Sequence, residues 1–285
     1  MAATDRQWDI VSSIGLTALG VAAARAVETN SPEPLIDDPF AAEFVRAAAP
    51  PRPLPTEPVE DELWTAMTGY MALRSQFFDA VVTGSDTPQV VILAAGLDAR
   101  AYRLDLTGRD VYEVDQPRVL EFKQQVLDRL RAEPRCRRHP VAADLREDWP
   151  AALELAGFDR TRPTTWLAEG LLPYLPAHAE EQLFDLVHAR SAPGSRIGVE
   201  QFATSHLESV TNSMQALDAG ERLGVNISQL FSGDPRRDPI TWLAEQGWQV
   251  EVDHPDELAD RFGRQLPDLL VDTMAKAELV RADLP

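Results

Sequence analysis

Three carboxylates and one glycine stand out by where they fall in the chain. Gly96 lies in "VVILAAGLDARAYRL" (Val90–Leu104), Asp115 closes "YEVD", Asp144 sits in "AADL" and Glu169 in "LAEG". Each follows a short apolar run of strand character. In an open parallel sheet, ligands bind beyond the carboxyl ends of the strands, near the point where strand order reverses. A glycine there lets a ligand approach the backbone closely. Asp115, about 19 residues beyond Gly96, is placed where an α/β nucleotide site puts a carboxylate for the two ribose hydroxyls. Asp144 can accept from the exocyclic amine of a base while the Leu145 N–H donates, and Glu169 supplies a fourth strand end. Taken singly, each carboxylate is equally well a helix cap or a solvated charge. As a set they are more informative. The stretch has one glycine rather than G-x-G-x-x-G, no phosphate-loop lysine accompanies it, and three carboxylates repel phosphate. The expected ligand is a nucleoside without phosphates that carries a positive charge.

Such a set needs a particular scaffold. From Gln89 onward "QVVILA", "DVYEVD", "HPVAA", "TTWLAE" and "RIGVEQ" alternate with helical segments, which predicts right-handed crossovers and a parallel sheet with helices on both faces. "PRVLEFKQQVLDRLRAE" has helical apolar spacing with Pro117 in its first turn, and "AHAEEQLFDLVHARSAPG" ends on a Pro-Gly stop. Residues 1–85 read as a helical N-terminal flank or lid, broken by the proline-rich "PPRPLPTEP". Residues 86–285 read as the α/β core, with a helical lid insertion at about 203–239 and "AELVRADL" as a last edge strand. The basic run "RCRRH" (Arg135–His139) is read as a solvated turn between a helix and a strand.

Composition narrows the ligand classes further. A net charge of −19 over 285 residues repels phosphate backbones and anionic lipid, so neither nucleic acid nor membrane is the expected partner. A single cysteine, Cys136, forms no intramolecular disulfide, and no Cys/His cluster has zinc spacing, so no metal is expected. "IGLTALGVAAARA" is interrupted by Arg25 well short of a membrane span and reads as a packed helix. With no basic, apolar leader at the start, the expected location is the cytoplasm.

S-adenosylmethionine is a nucleoside of the expected kind, with adenine, ribose, a sulfonium cation and an amino-acid tail. The ordered motifs "LIDDPFA", "YMALRSQFFD", "VVILAAGLDARAYRL", "YEVDQP", "AADLRED" and "LAEGLLPYLP" resemble the leucine carboxyl methyltransferase-type family of S-adenosylmethionine-dependent methyltransferases, especially its bacterial branch. The resemblance implies a seven-strand, Rossmann-like methyltransferase sheet. It implies that Arg74 holds the methionine carboxylate, Gly96 the first loop, Asp115 the ribose, Asp144 and Leu145 the adenine, and Glu169 the region of the tail. Tyr174, in "LLPYLP", falls where the family faces a substrate carboxyl group, although a core aromatic explains it equally well. The nearest cation to the family's early lysine is Arg25, a loose correspondence that is not carried over. His178 and His188 lie on a predicted helix and read as surface residues. The expected reaction is methyl transfer to a carboxylate of a small molecule or peptide. A hydroxyl acceptor, or nucleoside binding without catalysis, remains open, as do the acceptor's identity and the oligomeric state. A nicotinamide oxidoreductase is disfavoured by the missing dinucleotide fingerprint.

Overall fold

The computed structural model describes residues 13–202, 218–223, 236–267 and 276–285. Three helices come first: α1 (Ser13–Thr29), α2 (Ala41–Ala48) and α3 (Glu62–Thr83). The prolines between Pro50 and Pro58 keep α2 and α3 separate, and α3 starts where the Asp61 side chain accepts from the Trp64 N–H.

The strands then follow: β1 (Gln89–Leu93), β2 (Asp110–Asp115), β3 (Arg137–Ala142), β4 (Thr164–Ala168), β5 (Arg196–Phe202), β6 (Gln249–Asp253) and β7 (Ala277–Asp283). Between them lie α4 (Arg100–Arg103), α5 (Pro117–Arg129), α6 (Trp149–Leu155), a 3-10 turn (Leu172–Tyr174), α7 (Ala177–His188), α8 (Ala219–Leu223), α9 (Pro239–Glu245) and α10 (Pro255–Arg261). The order across the sheet is β3-β2-β1-β4-β5-β7-β6. Strand order reverses between β1 and β4, so the residues following these two strands face a common crevice.

Every residue of β1 and β4 is buried, and the apolar runs Val90–Leu93 and Trp166–Ala168 fit burial on both faces. Val90 and Ile92 enter a core shared with α1, α3 and α5, while Val91 and Leu93 enter a second core with Trp149 of α6, Phe184 of α7 and Trp242 of α9. Gly198 of β5 allows α3 to lie close to the sheet. A Cβ there would sit 3.1 Å from Val81 Cγ1 and 3.2 Å from Phe78 Cε1.

Two expectations are corrected. β7 is not an edge strand: it lies between β5 and β6, antiparallel to both, with Leu279 in one core and Val280 in the other. The sheet is therefore mixed, and β6 forms that edge. Second, "RCRRH" is only partly a turn. Arg137, Arg138 and His139 open β3, the buried Arg138 side chain donates to Glu113, and Arg137 and His139 face Asp110. The expected lid at 203–239 lies mostly outside the described residues, α8 being its one described helix. Among the described residues no helix is long and apolar enough to cross a membrane.

Candidate active site

A cavity of about 380 Å³ opens at the crevice between β1 and β4, within the size range of small-molecule sites. Arg74, Gly96, Asp115, Asp144, Leu145, Glu169 and Tyr174 all line it. The topology explains the convergence, because the turns after β1, β2, β3 and β4 emerge on one edge of the sheet.

The turn after β1 is tight. Ala94 has φ +52° and Gly96 φ +47°, and the Ala95 N–H is held by Val114 O of the neighbouring strand. A Cβ on Gly96 would meet no atom nearer than 3.8 Å, so glycine is required there by conformation rather than by crowding. The Gly96 N–H donates to Asp115 Oδ2 at 2.6 Å and the Gln116 N–H to Oδ1 at 2.6 Å. Asp115 is thus oriented by the loop it faces, and each oxygen keeps a lone pair for a ligand hydroxyl. Burial raises its pKa above the usual carboxylate value, against the two N–H donors, which lower it. Asp144 is different. Both of its oxygens accept from the Arg146 side chain, which holds its pKa down at about 2.

Behind the crevice lies a buried ionic assembly. Arg74, 7% exposed on α3, donates from Nε to Glu169 Oε1 at 2.9 Å and from Nη1 to Glu200 at 3.1 Å. Glu169 Oε2 accepts from Arg100 Nη1 at 2.6 Å, and Arg100 Nε donates to Asp79 at 2.7 Å. Burial opposes charge on both arginines, yet the surrounding carboxylates leave their pKa values raised. Asp98 behaves conversely: burial pushes it up, but Arg100, Lys123 and Arg103, with the Arg100 backbone N–H, together outweigh this and hold it at about 2. Arg25 donates to Asp38 Oδ2 and to Leu97 O, both at 2.9 Å, and lines the cavity as well. The Tyr174 hydroxyl bonds to the Thr17 side chain of α1, and burial raises its pKa, so the phenol is protonated at neutral pH.

The sequence pattern did not single out Arg100, Arg103, Asp98 and Asp38 on the cavity wall or Glu200 behind it, and Arg25, set aside there as a loose correspondence, lines the wall too. Glu200 had a usable signal, since it lies near the carboxyl end of β5, the strand that follows β4 in the chain. Arg100 and Arg103 had none, because an arginine on a helix is ordinarily exposed. His178 and His188 do fall on α7, and His188 accepts from Trp248 Nε1 away from the cavity wall.

The lining has the right chemistry for an adenosyl amino acid. Arg25, Arg74, Arg100, Arg103 and Arg146 stand against Asp38, Asp98, Asp115, Asp144 and Glu169, a balanced wall in a chain of net charge −19. It pairs a hydroxyl acceptor on β2 with guanidinium and carboxylate groups for a zwitterion beyond β4. The leucine carboxyl methyltransferase family model matches residues 18–188, through every motif that builds this wall.

The chain belongs to the leucine carboxyl methyltransferase family. A protein of Rhodococcus jostii, provisionally named an S-adenosyl-L-methionine-dependent methyltransferase, is 48% identical over 96% of this chain and 97% of its own. Similarly named proteins of Mycolicibacterium paratuberculosis and Saccharopolyspora erythraea are 47% and 46% identical, covering 97% and 98% of this chain and 93% and 98% of their own. Solved structures share the fold at 15% identity: a methyltransferase assigned provisionally from Thermobifida fusca (TM-score 0.52, 94% of both chains) and a DUF574 family protein from Streptomyces avermitilis (0.51, 92% and 97%). This member of the leucine carboxyl methyltransferase family is an S-adenosylmethionine-dependent methyltransferase with a Rossmann-like, seven-strand sheet.

Proposed function

We propose that the enzyme methylates a carboxylate oxygen of a small molecule or peptide. The observation that carries this reading is that every carboxylate on the described cavity wall is already engaged. Asp38 is on Arg25, Asp98 on Arg100, Asp144 on Arg146, Glu169 on Arg74 and Arg100, and Asp115 on two backbone N–H groups. A hydroxyl acceptor requires a base within hydrogen-bond reach, whereas a carboxylate, with a pKa of about 4, is ionised at neutral pH without one. Tyr174, protonated and paired with Thr17, suits the role of a donor to an anionic acceptor better than that of a base.

When bound, S-adenosylmethionine supplies a methyl group activated by its sulfonium. Asp115 would hold the ribose hydroxyls, Asp144 and Leu145 the adenine edge, Arg74 the tail carboxylate and Glu169 the region of the tail amine, with Gly96 permitting close approach. The protein contributes position and exclusion of water, and effective molarity supplies most of the rate. The net charge of −19 argues against nucleic acid or an anionic membrane as partner, and the balanced cavity wall, five arginines against five carboxylates, spares a small carboxylate that repulsion.

Incubation with methyl-labelled cofactor and a panel of carboxylic acids tests the acceptor class. Labelled product should release its label as methanol in mild base. Label that survives such treatment overturns the carboxyl assignment in favour of a hydroxyl acceptor.

A further inference from the structure

Glu200 does not line the cavity, yet it organises two residues that do. It lies on β5 and is 2% exposed. Oε1 accepts from the Tyr70 hydroxyl, Oε2 accepts from the Gly170 N–H at 2.6 Å, and Arg74 Nη1 donates to both oxygens at 3.2 and 3.1 Å. All of its acceptor capacity is spent on these neighbours.

The consequence for Arg74 follows from guanidinium geometry. With Nε on Glu169 and Nη1 on Glu200, two of the three nitrogens are pinned, and the plane cannot rotate without breaking a buried ion pair. Nη2 remains as the nitrogen without a protein acceptor among the described residues. Tyr70 closes the arrangement from below, its ring centroid 6.0 Å from Arg74 Cζ. Gly170 has φ +62°, and a Cβ there would come within 3.6 Å of Arg74 Nη1 and 3.7 Å of Nη2. The same carboxylate therefore holds Arg74 and anchors the turn that carries Glu169.

We propose that Glu200 is a positioning residue for the amino-acid end of the cofactor, locking Arg74 and the Glu169–Gly170 turn so that Arg74 Nη2 and Glu169 meet a zwitterionic tail together. This rests on the reading of Arg74 and Glu169 as tail contacts. The sheet order makes the effect local: β5 lies on the opposite side of β1 from β2 and β3, which carry Asp115 and Asp144.

Calorimetry on the full chain with two ligands tests it. S-adenosylhomocysteine has the tail, and 5′-methylthioadenosine has the same adenine and ribose without it. Glu200→Gln should weaken S-adenosylhomocysteine about tenfold, the scale of one charge-assisted hydrogen bond, and 5′-methylthioadenosine by less than about twofold. Tyr70→Phe removes one donor to Glu200 and should shift the ratio in the same direction by about threefold. Equal losses for the two ligands, or no loss for S-adenosylhomocysteine, overturn the proposal. If Glu200→Gln does not fold, Tyr70→Phe decides, and an unchanged ratio overturns it. Arg74→Met separates the two layers of argument. An unchanged ratio in that variant refutes the reading of Arg74, whereas a changed ratio there with none in Glu200→Gln refutes the role of Glu200 alone.

Discussion

Asp115→Ala probes the ribose contact and the loop together. In the folded chain each Asp115 oxygen already accepts one backbone N–H at 2.6 Å, so at most one further hydroxyl can be taken by each. Hydrogen bonds to a charged acceptor contribute about 1.5–3 kcal/mol each, and sharing the oxygens with N–H donors holds the pair of hydroxyls near about 1.5–3 kcal/mol in total. The expected loss of affinity for S-adenosylhomocysteine is about 10- to 150-fold. The same substitution orphans the Gly96 N–H in the turn after β1 and the Gln116 N–H after β2, so the unfolding free energy should also fall, by about 1–3 kcal/mol. Affinity and stability are separated by a second ligand, the 2′,3′-dideoxy analogue of S-adenosylhomocysteine. The parent should bind this analogue less tightly than the natural product, and Asp115→Ala should bind the two alike. If the variant still prefers the hydroxylated ligand by the parent's factor, Asp115 is a loop-capping residue and the ribose assignment is wrong.

Arg74→Lys should weaken S-adenosylhomocysteine and lower stability although it keeps the charge, because one ammonium cannot span Glu169 and Glu200. Urea titration should show Arg74→Met losing about 3–5 kcal/mol, the cost of breaking a buried ion pair, and a loss under about 1 kcal/mol would contradict the pairing. Gly198→Ala should cost about 1–3 kcal/mol by overpacking Val81 and Phe78, with binding unchanged; a variant as stable as the parent would show that α3 can shift. Acidification should act on Asp115, whose pKa is raised by burial, before it reaches Asp98 and Asp144, both held at about 2. Ligand affinity should therefore fall as pH drops through the raised Asp115 value, and calorimetry across that range should show no such fall in Asp115→Asn. The stability signs are opposite. Ionised Asp115 costs stability at neutral pH, and the cost is relieved as pH falls below its folded pKa. Asp98 contributes stability above the ordinary aspartate value of 3.8, which is lost as pH falls towards about 2.

The sequence alone determined the kind of scaffold and the residues gathered at its crevice. Five apolar runs separated by amphipathic helices leave few arrangements other than a wound sheet, and that topology brings the turn residues Gly96, Asp115, Asp144 and Glu169 to one edge. Arg74 and Tyr174 came from motif resemblance, and they line the same cavity. Only the tertiary structure decided where β7 pairs, because a seven-residue strand that mixes Leu279 and Val280 with the charged Glu278, Arg281 and Asp283 reads alike whether it lies at an edge or inside. It also decided that Arg138 and Arg100 are buried rather than solvated, and that Glu200 belongs to the site. Their partners are remote in the chain: Arg74 and Glu200 are 126 residues apart, Tyr70 and Glu200 130, and Arg100 and Glu169 69. Strand position depends on local pattern and topology, which a sequence displays. Whether a charge can be buried depends on the opposite charges that distant elements bring to it, and those meet only in the folded chain.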